Sequence, residues 1–183
     1  MNIEKLSKRE MGYLKGLFIG DGYKYHDKKN RKYYVEFYLN SINDKEIIRF
    51  LILILKKAGL NIHYYKDKRF NCIRLRIVNK EFFELFDKNV KNLRLNKEGI
   101  IGFISGIIDA EGYVNKEKNF IEVVNTNLEL IKFLNKELKF LGINSSIGKK
   151  FKSKKDKLPS YNLYISVNFK SIEHISIKAG MLS

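Results

Sequence analysis

Two carboxylates in this chain stand where a purely structural acid is disfavoured. Asp21 and Glu111 each precede a glycine at the end of an apolar stretch, Leu14 to Gly22 and Ile104 to Gly112. Ser7, with Glu10 three residues on, has the form of a helix-opening capping box. The stretch after it predicts a helix ending at Asp21, with Gly22 as its C′ residue. A helix C-terminus carries partial negative charge and favours Lys or Arg, so an acid there costs a few tenths of a kcal/mol, roughly, or more. Small residues stand four apart in each stretch, Gly16 and Gly20 in one, Gly106 and Ala110 in the other. Glycine within a helix costs roughly 1 kcal/mol relative to alanine, and close approach of two helix backbones accounts for it. Helices meeting through these faces bring their acidic ends together. Surface cations could satisfy such a pair, but juxtaposition raises the cost, and divalent ions relieve it. Carboxylate and carbonyl oxygens are hard ligands suited to Mg²⁺, and ions so held activate water and stabilise the leaving oxygen in phosphodiester hydrolysis.

The elements that must position these acids occur twice. Ile47-Ile48-Arg49-Phe50-Leu51 returns as Leu130-Ile131-Lys132-Phe133-Leu134, and Arg76-Ile77-Val78-Asn79 resembles Tyr164-Ile165-Ser166-Val167-Asn168. The offsets between copies differ by up to seven residues, which places the length differences in loops, and the join falls near Asn92 to Lys97. Each copy reads as αββαββα. From Lys32 to Asn40 apolar and polar residues alternate, predicting a half-buried strand; a helix follows from Asp44 to Ala58, closed by Gly59, with Asp44 and Asn127 as helix N-caps. Two strands, near Asn61 to Lys66 and Asn71 to Val78, and a helix from Lys80 to Phe86 complete the first copy. Each four-stranded antiparallel sheet then has one face for helices and one left open. The open faces are read as carrying Tyr34, Tyr38, Asn40, Arg74 and Arg76, and Asn119, Glu122 (Ile121 if the register slips), Asn162, Tyr164 and Ser166. Such side chains donate to phosphates and base edges, and a β-ribbon fits the DNA major groove.

Composition agrees with a polyanion partner. The 183 residues carry 36 Lys+Arg against 20 Asp+Glu, a formal net charge of +16. Residues 1–95 hold 22 basic and 11 acidic side chains and residues 96–183 hold 14 and 9, so both halves are positive. A 44% hydrophobic content excludes a disordered basic tail. No apolar run approaches the length of a membrane span, and no apolar stretch of a secretory signal opens the sequence. The single cysteine, Cys72, excludes an internal disulfide. The expected location is the cytoplasm, with the nucleoid, or an organelle.

The two nine-residue stretches, Leu14-Lys15-Gly16-Leu17-Phe18-Ile19-Gly20-Asp21-Gly22 and Ile104-Ser105-Gly106-Ile107-Ile108-Asp109-Ala110-Glu111-Gly112, resemble the motif that names the LAGLIDADG homing endonucleases. The resemblance covers the chain, because two-motif members carry two αββαββα repeats of this size. It implies an α+β fold of two pseudo-symmetric repeats, residues 1–95 and 96–183, forming paired β-sheet saddles with the motif helices packed at the repeat interface. It implies a monomer that makes a staggered double-strand break, with a 3′ overhang, in a long asymmetric DNA duplex and so promotes intron homing. The last acid of each motif, here Asp21 and Glu111, would share two or more Mg²⁺ (or Mn²⁺) ions, with the backbone carbonyls of Gly20 and Ala110 also implicated. The first motif has Ile19 where the second has Asp109; that is not the metal-binding position, and Asp109 is read as structural. The family also contains RNA maturases, which act on intron RNA, and members that bind without cutting. An acid in both motifs argues against a dead nuclease.

Secondary groups near the scissile phosphates vary within the family. By position, Asn40, Ser41, Asn43 and Asn125 could orient water, and Lys80, Lys116 and Lys170 could neutralise phosphate charge. His26, His63 and His174 are too scattered to form a ligand set.

Overall fold

The structure, a computed structural model, describes residues 2–67, 69–115, 117–148 and 158–166. Ser7 opens helix α1 (Lys8–Asp21) with a reciprocal cap. Its hydroxyl accepts from the Glu10 N–H at 3.1 Å, and the Glu10 carboxylate accepts from its backbone N–H at 2.7 Å. Strand β1 (Gly22–Asp27) follows directly, then β2 (Lys32–Asn40), α2 (Lys45–Lys57), β3 (Ile62–Asp67), β4 (Cys72–Val78) and α3 (Lys80–Glu84). The second repeat comprises α4 (Lys97–Glu111), β5 (Gly112–Asn115), β6 (Phe120–Asn125), α5 (Leu128–Phe140), β7 (Ser145–Ile147) and β8 (Tyr161–Ser166). A counterpart of α3 after β8 lies outside the described residues.

Both sheets are antiparallel and share one topology, β1-β2-β4-β3 and β5-β6-β8-β7. Gly22 pairs with Phe37 and Gly112 with Val123, which fixes the correspondence of the repeats strand by strand. The period-2 pattern decides the faces. Val35, Phe37 and Leu39 of β2 and Ile73, Leu75 and Ile77 of β4 are buried with α1 and α2 in one core; Ile121, Val123, Leu163 and Ile165 are buried with α4 and α5 in another. The α+β class and the two-repeat architecture read from the sequence are those observed. Helices α1 and α4 form the seam: Ile19 of α1 belongs to the second core, and Ala110 of α4 packs against the first. Among the described residues, no helix is long and apolar enough to cross a membrane.

Three local expectations are corrected. Gly22 is not a left-handed C′ residue; its φ of −96° and ψ of 151° are extended, and the strand starts there. Glycine is required instead by crowding, since a Cβ would lie 2.4 Å from the Phe18 carbonyl oxygen. Asp44 does not cap α2 with its side chain, which accepts from the Asn40 backbone N–H at 2.8 Å. Asn119 is not on the sheet face: its φ of 51° places it in the β5–β6 turn, and Ile121 is buried, so the register leaves Glu122 on the open side.

Candidate active site and nucleic-acid interface

The acids are carried to one place by backbone-to-backbone packing. The small-residue stripe runs a turn further than the motif, through Gly12, Gly16 and Gly20 on α1 and Gly102, Gly106 and Ala110 on α4. A Cβ on Gly16 would stand 2.1 Å from the Phe103 carbonyl oxygen, and one on Gly102 would stand 1.9 Å from that of Arg9. At the far end, a Cβ on Gly20 would meet the Ala110 methyl at 2.3 Å, Glu111 Cγ at 3.2 Å and Glu111 Oε1 at 3.6 Å. Glu111 therefore lies across the last turn of α1, beside Asp21, and both acids are half-buried. Neither helix carries a basic residue in its last turn, where the helix dipole favours one.

Polar contacts support this junction. Asp109, 1% exposed, accepts from the Tyr13 hydroxyl at 2.9 Å, a hydrogen bond from α4 to α1. Burial and then the Asp109 charge hold the Tyr13 phenol far above its ordinary pKa, so it remains a donor. Asn125 Nδ2 donates to Glu111 Oε1 at 3.2 Å, while its Oδ1 accepts from the Asn127 N–H, fixing the amide from both sides. Asn127 in turn caps α5, accepting from Glu129 and Leu130.

The donor set fits a hard divalent cation. Two carboxylates at adjoining helix ends, with the backbone of Gly20 against Ala110, offer oxygen ligands only. Among the described residues no group of three or more His, Cys, Asp or Glu side chains forms a closed cage. An open pair of carboxylates, completed by water and substrate phosphate oxygens, is the arrangement Mg²⁺ favours.

Asn40 and Lys80 are not brought to this junction by the same geometry. Asn40 and Asn125 end β2 and β6, but the register makes Leu39, buried at 3%, the counterpart of Asn125. Asn40 folds its Oδ1 onto the Ile42 and Asn43 N–H groups in its own turn. Lys80 is ion-paired to Glu84 at 3.8 Å and sits 5.8 Å over the Tyr33 ring. Tyr33 is four residues along β2 from Phe37, the partner of Gly22, which is roughly 13 Å of strand rise. Lys116 and Lys170 lie outside the described residues.

The open sheet faces gather the expected interface residues and several more. Tyr38 lies opposite Arg74, Glu36 opposite Arg76, and Tyr34 opposite Val78. Tyr25 stacks on Tyr34 with centroids 4.5 Å apart, and the Arg74 guanidinium lies 4.5 Å from the Tyr65 ring centroid. Asn162, Tyr164 and Ser166 line the corresponding face of β8. Tyr65 was not singled out from the sequence, where Tyr23 and Tyr25 read only as aromatics interleaved with lysine and Glu36 only as a polar residue of the alternating strand; alternation in β1 and β3 is the signal that could have placed the three tyrosines on this face. Aromatic rings interleaved with guanidinium groups on an uncovered sheet suit phosphate and base contact.

A seam of two glycine-striped helices that ends in two acids, beneath two uncovered sheets of which the first carries Arg74 and Arg76, defines a pseudo-twofold LAGLIDADG-type protein. Residues 9–91 and 98–175 each match the LAGLIDADG-like domain, and the chain belongs to that family. It is similar to the homing endonuclease I-DmoI in complex with DNA and Ca (25% identity, 96% of this chain and 97% of that chain, TM-score 0.72) and in complex with DNA and Mn (26%, 92% and 96%, 0.70). The fold is also that of the N-terminal LAGLIDADG domain of DUF199/WhiA, at 19% identity over 97% of this chain and 88% of that one, with a TM-score of 0.62. An uncharacterized protein of Methanocaldococcus jannaschii is 31% identical over 142 residues, 75% of this chain. The chain spans about half the length of that relative, 51%.

Proposed function

We propose that this protein is a monomeric, divalent-metal-dependent DNA endonuclease that makes a staggered double-strand break in a long asymmetric duplex and thereby promotes intron homing, acting in the nucleoid or an organelle. The observation that carries the reading is the Glu111 carboxylate lying across Gly20, next to Asp21, at the meeting of two helix C-termini. Asp21 and Glu111, with the Gly20 and Ala110 carbonyls, would hold Mg²⁺ or Mn²⁺. When bound, such ions activate water and stabilise the leaving oxygen. The rest of the work falls to the chain. Repeats 1–95 and 96–183 each lay a sheet along half of the target, so that one scissile phosphate on each strand comes to the shared junction. Asn125 holds the Glu111 carboxylate in one orientation. The complexes of I-DmoI with DNA and divalent metals support this reading.

A pool of randomised duplexes incubated with the protein in Mg²⁺, followed by capture and sequencing of new ends, tests it. Cleaved ends with 3′ overhangs at one family of sequences are expected, and none in EDTA. Duplexes enriched by binding yet intact in both Mg²⁺ and Mn²⁺ would point instead to a non-cleaving binder. Preferential binding of structured intron RNA would point to a maturase.

Two further outcomes follow. Duplex affinity should fall by roughly a thousandfold or more between about 50 and 200 mM salt, the scale for six or more neutralised phosphates; a flat response measured by fluorescence anisotropy would contradict the saddle. Asn125→Ala should slow cleavage about tenfold to a hundredfold with little change in duplex affinity, because the lost hydrogen bond orients an acid and does not touch DNA. A wild-type single-turnover rate in that variant would remove Asn125 from the machinery.

A further inference from the structure

Each sheet carries one glutamate at the same place on its open face. Glu36 is two strand positions from Tyr38 and pairs with Arg76; Glu122 pairs with Tyr164, and the shared register makes the two glutamates equivalent. A carboxylate on a face that meets phosphates works against the attraction supplied by the +16 charge. Glu36 is nevertheless 2% exposed, covered by its neighbours, and so is no solvated surface charge. Its effect is on the side chains that cover it.

In the first sheet, Arg76 Nε donates to Glu36 Oε1, the Tyr38 hydroxyl donates to Oε2 at 2.6 Å, and Arg74 Nε lies 3.9 Å from Oε1. The Tyr34 and Tyr65 rings flank the Arg76 guanidinium at 5.0 and 5.2 Å. An unrestrained arginine reaches phosphates and bases alike on its rotatable stem. One gripped at Nε and set between two rings offers its terminal N–H groups in a fixed plane. That planar pair of donors matches the O6 and N7 acceptors of guanine.

The second sheet presents the opposite polarity. Asn162 Nδ2 donates to Glu122 Oε1 at 2.6 Å and to the Tyr164 hydroxyl at 3.3 Å. A carboxylate only accepts, so the amide nitrogen must face it. With both N–H groups turned inward, Asn162 has its carbonyl oxygen left to offer. In the major groove an acceptor finds the amino groups of adenine or cytosine.

Building on the duplex-binding reading above, we propose that Glu36 and Glu122 are positioning residues that set the hydrogen-bond polarity of two base-reading side chains. Arg76 is held as a donor for guanine in one half of the target, and Asn162 as an acceptor for adenine or cytosine in the other. The repeated acid thus encodes asymmetry: identical residues at equivalent positions orient different partners, and the two halves of the target differ accordingly.

The test is selection of bound sequences from randomised duplexes in Ca²⁺, for the wild type and for Glu36→Gln, Arg76→Ala and Glu122→Gln, with a thermal melt of each protein. The wild type should show one position that favours guanine roughly tenfold or more, and one in the other half restricted to adenine or cytosine. Glu36→Gln and Arg76→Ala should flatten only the first. Glu122→Gln should admit guanine and thymine at the second, because a glutamine can donate to the amide oxygen and let Asn162 turn its nitrogen outward. Glu36→Gln should also tighten binding to an arbitrary duplex, which loss of a purely structural contact would not do. Unchanged profiles in Glu36→Gln and Glu122→Gln overturn the proposal; should Glu36→Gln fail to fold, guanine preference surviving in Arg76→Ala overturns it equally. A wild type that enriches no sequence sinks the duplex-recognition reading itself, whereas an enriched site untouched by the variants sinks only the polarity proposal.

Discussion

Asp21→Asn or Glu111→Gln is expected to abolish double-strand cleavage while duplex binding in Ca²⁺ persists. Each substitution keeps the shape of the side chain and removes one negative charge from a site that offers two. Each acid closes a helix whose last turn has no basic residue, so the carboxylates have an electrostatic cost at the helix ends that a cation at this junction would offset. Loss of either should lower the single-turnover rate by about a hundredfold to a thousandfold, the scale on which removing a charge-stabilising group acts. Stability should move the other way. Neutralising an acid at a helix C-terminus relieves its interaction with the dipole, so the melting temperature should hold or rise slightly. Activity lost with stability kept is the signature of a functional acid; activity lost through unfolding would show the reverse. Cleavage surviving the double substitution would falsify the metal-site assignment.

The acids were legible in the sequence because every signal that marks them is local. Ser7 and Glu10 set the start of α1, the four-residue spacing of Gly16 and Gly20 sets its contact face, and Asp21 stands at the end that this face implies. The αββαββα order was legible for the same reason, since alternation along Lys32 to Asn40 needs no knowledge of a partner strand. What the sequence withheld is cross-strand. Asn40 and Asn125 both end a strand, yet a one-residue difference in register puts them on opposite faces, and only the Gly22–Phe37 and Gly112–Val123 pairings reveal it. Glu36 could not be linked to its partner from the sequence, because Arg76, which it holds, is 40 residues away. Pattern along the chain predicts elements and their faces. Which residues meet across a face is set by tertiary pairing.

Gly16→Ala and Gly102→Ala are expected to destabilise the fold by about 3–5 kcal/mol, against the roughly 1 kcal/mol gain that alanine gives at an exposed helical site. The sign reverses because of what the added methyl meets. At Gly16 it would fall 2.1 Å from the Phe103 carbonyl oxygen, and at Gly102 1.9 Å from that of Arg9. The obstacles are backbone atoms of the opposing helix, which no rotamer change can move. The helices must separate, and separation costs more than the local contact, because Ile19 and Ala110 each pack into the core of the other repeat. Gly59, by contrast, has no atom within 4 Å of a would-be Cβ, and its penalty comes only from a φ of +68°; Gly59→Ala should cost about 1 kcal/mol, roughly the penalty for an ordinary residue in the left-handed region. Chemical denaturation of the three variants separates these causes. The seam carries a functional consequence as well. Since α1 and α4 end in Asp21 and Glu111, a methyl that spreads the helices also spreads the acids, so any residual folded Gly16→Ala protein should bind duplex DNA but cut it poorly. Equal stability for all three variants would show that the helices are not held as close as the glycine stripe requires.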